Sequence, residues 1–204
     1  MTDAPGWQVS PRWIEWRRTV DLLKYDERFA LMAERGDSIH GEADFIERLF
    51  PQRKISLLDA GCGTGRLAIE MTSRGHHAVG VDLDPDMIAR ARSKAPNIEW
   101  HVADLSKLAL GNKSEVVVMA GNILLFCAPG SQAAIIKSLS QHIVTDGYLI
   151  SGFSLEDRGD AYLSADYQRD ALAAGLTFVA EYSNWNGDGS ITGDDYTVMV
   201  HQLH

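Results

Sequence analysis

Residues 57–68 read Leu-Leu-Asp-Ala-Gly-Cys-Gly-Thr-Gly-Arg-Leu-Ala, and this stretch decides the fold. The apolar run at residues 55–58 predicts a buried strand, and a helical pattern begins at Arg66. Glycines at alternate positions lie between the two. Glycine lets the backbone turn sharply and lets a ligand approach it closely, and the following helix directs free N–H groups at that ligand. A strand, a glycine turn and a helix in this order predict a nucleotide-type binding site.

The spacing of the glycines separates this turn from a dinucleotide site. Dinucleotide sites use G-x-G-x-x-G, whereas Gly61, Gly63 and Gly65 give G-x-G-x-G and Arg66 replaces the third dinucleotide glycine. Asp59 would repel a pyrophosphate, but it suits a ligand that carries an ammonium and a sulfonium group. A glycine turn without a ligand and a nicotinamide or flavin site are the alternatives.

This stretch resembles motif I of the class I S-adenosylmethionine-dependent methyltransferases, in which an acid precedes Gly-Cys-Gly-x-Gly. The resemblance implies methyl transfer from S-adenosylmethionine, with S-adenosylhomocysteine as the product. It also implies that the motif holds the methionine part of the cofactor. The residues concerned are Asp59, Ala60, Gly61, Cys62, Gly63 and Gly65.

Asp82 ends the second predicted strand, residues 77–82, next to the glycine turn. A carboxylate at this position can accept hydrogen bonds from both hydroxyls of a ribose. The alternative is a helix cap, but Asp84-Pro85 already fits the N-cap and first position of the next helix. We therefore predict that Asp82 binds the ribose and that Leu83 lies against the adenine.

Two further pairs of residues follow predicted strands. Asp104-Leu105 follows the third strand, and the resemblance implies that Asp104 accepts from the adenine amino group while Leu105 packs near the ring; a cap for the next turn is the alternative. Gly121-Asn122 follows the apolar run 116–120, which predicts a central strand buried on both faces. Because ligands bind beyond the carboxyl ends of such strands, this pair should lie near the sulfonium. Asn122 would then contact the methyl acceptor, unless it serves as a turn residue.

The segment before the motif, residues 1–50, predicts a helical cover. After a loose start, Ser10-Pro11 fits an N-cap and first helical position, and one helix is predicted over residues 11–35. A second helix is predicted over residues 41–50. Trp13 and Trp16 share a helix face. They either pack onto the core or, as the resemblance favours, form a lid over the site.

The C-terminal part completes the predicted fold. Two strands, residues 177–185 and 195–203, are joined by a linker too short for a crossover helix, which predicts an antiparallel hairpin. The chain is thus predicted to be a single α/β domain, residues 1–204. Its core, residues 51–204, is a doubly wound, mostly parallel seven-stranded sheet with an antiparallel C-terminal hairpin and helices on both faces.

The loop of this hairpin resembles a calcium loop by spacing. Asn184, Asn186, Asp188 and Asp195 fall at ligand positions, with Gly189 at the sixth. An EF-hand needs flanking helices, however, and these flanks predict strands, so no metal is expected.

The composition of the chain limits the classes of substrate and partner that we expect. The net charge of −9 over 204 residues argues against a nucleic-acid substrate. No apolar run approaches the ~20 residues that a membrane span needs, no signal peptide is evident, and two cysteines suit a cytoplasmic protein. The oligomeric state cannot be read from the sequence.

We expect a small-molecule methyl acceptor. The sequence does not identify any residue as a catalytic base. Cys127 is not favoured as a nucleophile because no histidine is clearly paired with it. A non-catalytic S-adenosylmethionine-binding or regulatory module is the alternative function. A nicotinamide dehydrogenase is a third, which Arg66 and the hairpin oppose.

Overall fold

The computed structural model describes residues 9–36, 38–155, 162–189 and 195–204. Within them lies a seven-stranded sheet with helices on both faces. The strands are β1 (Ser56–Ala60), β2 (His77–Asp82), β3 (Glu99–Val102), β4 (Ser114–Met119), β5 (Ile143–Ser154), β6 (Leu176–Tyr182) and β7 (Tyr196–Leu203). The helices are α1 (Pro11–Thr19), α2 (Leu22–Glu34), α3 (Gly41–Leu49), α4 (Arg66–Ser73), α5 (Pro85–Lys94), α6 (Ile123–Phe126), α7 (Gln132–Ser140) and α8 (Ser164–Ala173), with a 3₁₀ turn at Leu105–Lys107.

The strand order is β3-β2-β1-β4-β5-β7-β6. Strands β1 to β5 pair in parallel, and β7 inserts antiparallel between β5 and β6. This arrangement confirms the predicted doubly wound sheet and its C-terminal hairpin. The order reverses between β1 and β4, which places the ends of these two strands at a topological switch point, with β2 next to β1.

Strand β4 shows why the sheet holds together. Val116 and Val118 face one apolar cluster, against α4 and α5, while Val117 and Met119 face the other, against α7 and α8. All four side chains are fully buried. The continuous apolar run therefore reflects a strand covered on both faces, as predicted.

The single N-terminal helix predicted over residues 11–35 is wrong. Ser10 does cap its start, since its side chain accepts from the Trp13 N–H, but the helix ends at Thr19. Val20 and Asp21 are extended, and the Asp21 side chain accepts from the Leu23 N–H to begin α2. An aspartate that bonds the backbone ahead of it competes with the helix it would otherwise continue, so the segment folds as two helices.

The remaining predictions concern the second N-terminal helix, the start of the chain and membrane-spanning segments. Helix α3 confirms the second predicted N-terminal helix. The predicted loose start, residues 1–8, lies outside the described residues. Across the part of the chain that the structure describes, no helix has the length and apolar character to cross a bilayer.

Candidate functional site

The glycine turn between β1 and α4 is built on left-handed backbone. Gly61, Gly63 and Gly65 have φ angles of +83°, +56° and +85°, which residues with a Cβ rarely adopt. The N–H groups of Gly61 and Cys62 donate to the Val81 carbonyl at 2.7 and 2.9 Å. The turn is thereby held against the end of β2.

Each glycine also gives room to a neighbour or to the cavity. A Cβ at Gly65 would overlap the Trp100 ring, and one at Gly61 would overlap Ile123. A Cβ at Gly63 would meet nothing within 4 Å. Gly63 therefore presents bare backbone to open space.

Asp82 lies beside this turn with both carboxylate oxygens engaged. Oδ2 accepts the Gly63 N–H at 2.8 Å, and Oδ1 accepts the Asp84 N–H at 2.9 Å. Burial raises the pKa of Asp82 to about 6, although these backbone hydrogen bonds act to lower it. Asp84 caps α5 through the Asp86 N–H, as predicted.

Asp59 is more deeply buried than its place in the motif suggested. It is 2% exposed, and its Oδ2 accepts the Ala68 N–H at 3.1 Å, in the first turn of α4. Burial raises the pKa of Asp59 to about 7. This carboxyl group thus titrates near neutrality, at the wall of a cavity.

Two cavities meet at these residues. The larger, of about 390 Å³, lies over the glycine turn, and the smaller, of about 130 Å³, lies between the ends of β2 and β3 and helix α7. Gly61, Asp82 and Ile123 line both. The larger volume falls within the range of small-molecule sites.

The smaller cavity is lined by Leu83, Asp104 and Leu105, the three residues predicted from the sequence to contact the adenine. One oxygen of Asp104, Oδ1, accepts from the N–H and the hydroxyl of Ser106 at 2.9 and 2.7 Å. Asp104 is therefore a cap, and its Oδ2 accepts no hydrogen bond from the described residues. The capping alternative and a ligand contact are compatible in this geometry.

Gly121 and Asn122 line the larger cavity at the end of β4. Asn122 has a φ angle of +69°, and its Oδ1 accepts the Ser154 N–H at 2.7 Å. The turn role considered for Asn122 is thus present, since its side chain ties the β4 end to the β5 end. The side-chain NH₂ group makes no hydrogen bond to the residues that the structure describes.

The two remaining motif residues have different positions. Cys62 lines the larger cavity, and burial raises the pKa of its thiol well above the usual value. Ala60 is fully buried beneath the turn and does not line the cavity. Cys127 lines the smaller cavity, and burial raises its pKa too, so neither cysteine is poised as a thiolate.

Aromatic side chains from the N-terminal helices form the outer wall of the larger cavity. Trp16 contacts Tyr25 edge to face, with ring centroids 6.0 Å apart, and Phe126 of α6 at 5.8 Å. Phe29 contacts Tyr25 at 5.4 Å, and Trp13 also lines the cavity. The predicted shared face of Trp13 and Trp16 is therefore turned toward the site.

Three charged residues of the cavity were missed by sequence reasoning. Arg66 donates two ion-pair hydrogen bonds to Glu42 of α3, and both of these residues line the cavity. The Arg28 guanidinium lies over the rings of Tyr25 and Phe29, 5.2 and 5.0 Å from their centroids. Glu42 and Arg66 lie 24 residues apart, so no local pattern pairs them. Arg28 follows Tyr25 by three residues on α2, but only the docking of α2 shows that this face lines the cavity.

The calcium-like loop is flanked by strands β6 and β7, as predicted. Asn184 bonds within the turn, since it donates to Asp188 at 2.9 Å and accepts from the Asn186 N–H at 2.8 Å. Residues 190–194 of this loop lie outside the described residues.

Known proteins share both the sequence pattern and the fold. A family model described as a methyltransferase domain matches residues 57–147. A TehB-like SAM-dependent methyltransferase from Corynebacterium glutamicum is 29% identical, with a TM-score of 0.80 over 89% of this chain and 97% of that one. DesVI of Streptomyces venezuelae has the same fold at 20% identity, with a TM-score of 0.70 over 91% of this chain and 99% of that one.

Among curated proteins, a dTDP-3-amino-3,4,6-trideoxy-alpha-D-glucopyranose N,N-dimethyltransferase from Streptomyces venezuelae is 29% identical over 130 residues. The match covers 62% of this chain and 54% of that protein. The chain spans between about a third and two thirds of the length of the first such relatives. Motif, sheet order and relatives agree: the chain matches a methyltransferase-domain model over residues 57–147 and has the fold of the class I, Rossmann-like S-adenosylmethionine-dependent methyltransferases.

Proposed function

We propose that the protein transfers the methyl group of S-adenosylmethionine to a small-molecule acceptor and releases S-adenosylhomocysteine. One observation carries this proposal. Two neighbouring cavities that share lining residues lie at the ends of β1, β2 and β4, with the glycine turn on one side and aromatic side chains on the other. A cofactor and an acceptor can meet there away from bulk water.

The residues present fit the cofactor. The smaller cavity has apolar walls at Leu83 and Leu105 and a carboxylate at Asp104, which suits adenine. Each oxygen of Asp82 accepts one backbone N–H and retains a lone pair for a ribose hydroxyl. The bare backbone of Gly63 and the carboxyl group of Asp59 suit the methionine part.

S-adenosylmethionine supplies an electrophilic methyl group on a sulfonium centre. The chain's own contribution is to hold the acceptor in line with that group, which can supply roughly 7–11 kcal/mol of the barrier. The aromatic wall would exclude water. Tyr25 is neutral because burial raises its pKa, and no histidine lines the larger cavity among the described residues. The proton acceptors on the described wall are therefore the carboxyl groups of Glu42, Asp59 and Asp82.

A small acceptor agrees with the size of the cavity and with the relatives. Those relatives are named as methyltransferases of an amino sugar, of magnesium protoporphyrin and of demethylmenaquinone. We propose that the acceptor of the present chain is a small molecule and not a nucleic acid. A cytoplasmic location stays a prediction.

Calorimetric titration with S-adenosylmethionine, S-adenosylhomocysteine and NAD tests the cofactor assignment. We expect one-site binding of the first two and none of NAD. Turnover is tested by measuring S-adenosylhomocysteine release with a panel of amines, sugars, quinones and phenols. Binding without turnover on any acceptor would favour the non-catalytic binding module, and binding of NAD alone would contradict the proposal.

A further inference from the structure

The two helices that cover the cavity make several polar contacts with the core. Within α1 and α2, no side chain is fully buried. At the start of α1, the Ser10 hydroxyl donates to the Phe126 carbonyl at 2.6 Å. At its end, Arg17 pairs with Asp84 and with Asp86, the latter at 2.7 Å. We call residues 11–34 the cover.

Asp26 of α2 makes the densest of these contacts. Its Oδ2 accepts from Arg90 Nε and Nη2 at 2.9 and 2.6 Å, and its Oδ1 accepts from Lys94 Nζ at 3.1 Å. Both bases lie on α5. The same Oδ1 accepts the hydroxyl of Thr64 at 2.6 Å. One carboxylate thus joins the cover, helix α5 and the glycine turn.

The contact with Thr64 distinguishes Asp26 from an ordinary surface ion pair. Thr64 stands between Gly63 and Gly65 in the turn, is 2% exposed and lines the larger cavity. Burial alone would raise the pKa of Asp26, but the hydrogen bonds from Thr64, Arg90 and Lys94 lower it, so the carboxylate stays ionised. The turn is then held from the sheet by Asp82 and from the cover by Asp26.

We propose that Asp26 is a positioning residue that couples closure of the cover to the shape of the cofactor turn. Trp16 and Tyr25 of the cover line the larger cavity, and in this proposal a ligand leaves when the cover moves away. That movement separates Asp26 from Thr64 and from the two bases of α5. The proposal rests on the proposed function, because it takes the cofactor to be the ligand in the cavity.

Dissociation of S-adenosylhomocysteine, followed by stopped-flow tryptophan fluorescence, tests this coupling. We expect Asp26→Asn to speed dissociation about tenfold or more. Raising NaCl from 50 to 500 mM should speed dissociation from the wild type and have less effect on the variant, because salt screens the ion pairs. Glu15→Gln is the matched control, since it makes the same change of charge on the cover at an exposed local pair with Arg18.

A second set of variants separates positioning from stability. Thr64→Val removes the hydroxyl and leaves the ion pairs of Asp26 intact, and Thr64→Ser restores a hydroxyl. We expect S-adenosylhomocysteine to dissociate faster from Thr64→Val and nearly as slowly from Thr64→Ser as from the wild type. In the double variant with Asp26→Asn, the effects of Thr64→Val and Asp26→Asn on the dissociation rate should be non-additive. Hydrogen exchange over residues 11–34 should quicken in ligand-free Asp26→Asn and not in Glu15→Gln.

The proposal is overturned if Asp26→Asn and Glu15→Gln release the ligand at the same rate, even when the melting temperature of the former falls. It is also overturned if Thr64→Val and Asp26→Asn act additively. These results differ from a failure of the proposed function, in which the wild type itself would not bind S-adenosylhomocysteine.

Discussion

The carboxylate of Asp82 accepts the backbone N–H of Gly63 at 2.8 Å, and this bond fixes the glycine turn to the end of the neighbouring strand. The same carboxylate faces both cavities. Its position therefore combines two tasks: it shapes the turn, and it offers lone pairs to a ligand hydroxyl.

Replacement of Asp82 tests both tasks. We expect Asp82→Ala to weaken binding of S-adenosylhomocysteine at least a hundredfold, because hydrogen bonds to a charged group contribute roughly 1.5–3 kcal/mol each. Calorimetric titration measures the change, with Glu99→Ala on the exposed side of β3 as the control. Wild-type affinity in Asp82→Ala would show that the ribose is held elsewhere.

Asp59 predicts an unusual dependence of stability on pH. Its pKa is about 7 in the folded protein against an ordinary value of 3.8, so between these pH values the folded state holds a proton that the unfolded state releases. The stability associated with Asp59 is complete below pH 4 and is lost as the pH rises through 7, by at most roughly 4 kcal/mol. Asp59→Asn should therefore raise the urea midpoint at pH 8 and change it little at pH 4.

The same substitution, Asp59→Asn, should weaken binding of the cofactor. An ionised Asp59 attracts the cationic methionine part of S-adenosylmethionine, so the ligand favours the deprotonated form and its binding should tighten as the pH rises from 6 to 7.5. Asp59→Asn should flatten this profile in calorimetric titrations. A pH profile that is identical in the variant would assign the proton to another group.

The parts of the fold that follow from local rules were predictable. The strand, glycine turn and α4 follow one another because glycine, alternation and capping act over a few residues, and the Ser10 and Asp84 caps were found for the same reason. Local preference also persists inside β5: Ile143 and Tyr148 pair with residues 114 and 116 of β4, so the segment between them bulges from the ladder, and Asp146 adopts a φ angle of +63° there.

The parts of the site that depend on distant partners could not be predicted. Asp26 meets Thr64 only after α2 has docked over the turn, and Arg66 meets Glu42 only after α3 has packed beside α4. The motif placed the cavity floor, since its residues are consecutive. For the cavity wall, the spacing of Trp13 and Trp16 indicated their shared face, whereas the contacts of Asp26 and Arg66 form only in the folded chain.

His201 on β7 predicts loss of stability in acid. It is 1% exposed, neither ring nitrogen has a hydrogen-bond partner among the described residues, and burial lowers its pKa to about 4. Since its unfolded value is near 6.5, stability should fall as the pH drops from about 6.5 toward 4, by at most roughly 3 kcal/mol.

His201→Phe should remove this component of the acid loss. The ring would remain between Tyr167 and Phe178, whose centroids lie 5.2 and 5.6 Å from the imidazole. Urea unfolding at pH 5 and 7.5 measures the effect, with His77→Gln at an exposed position as the control. An equal acid loss in His201→Phe and the wild type would contradict the prediction.

A substitution at Gly80 tests how tightly the core beside the site is packed. Its Cβ, if added, would overlap the Trp100 ring, which is 5% exposed and fixed by a 2.9 Å hydrogen bond from Nε1 to the Ala95 carbonyl. Because the indole cannot move without losing that bond, Gly80→Ala should cost about 1–3 kcal/mol or more in unfolding free energy.

The matched control for Gly80 is Gly111→Ala, where a Cβ meets nothing within 4 Å. Equal urea midpoints for the two variants would show that the ring yields freely. The double variant Gly80→Ala with Trp100→Leu should lose less stability than the sum of the single changes, because the smaller side chain relieves the overlap. Since the same ring also fills the space beside Gly65, ligand affinity should fall in Gly80→Ala and not in Gly111→Ala.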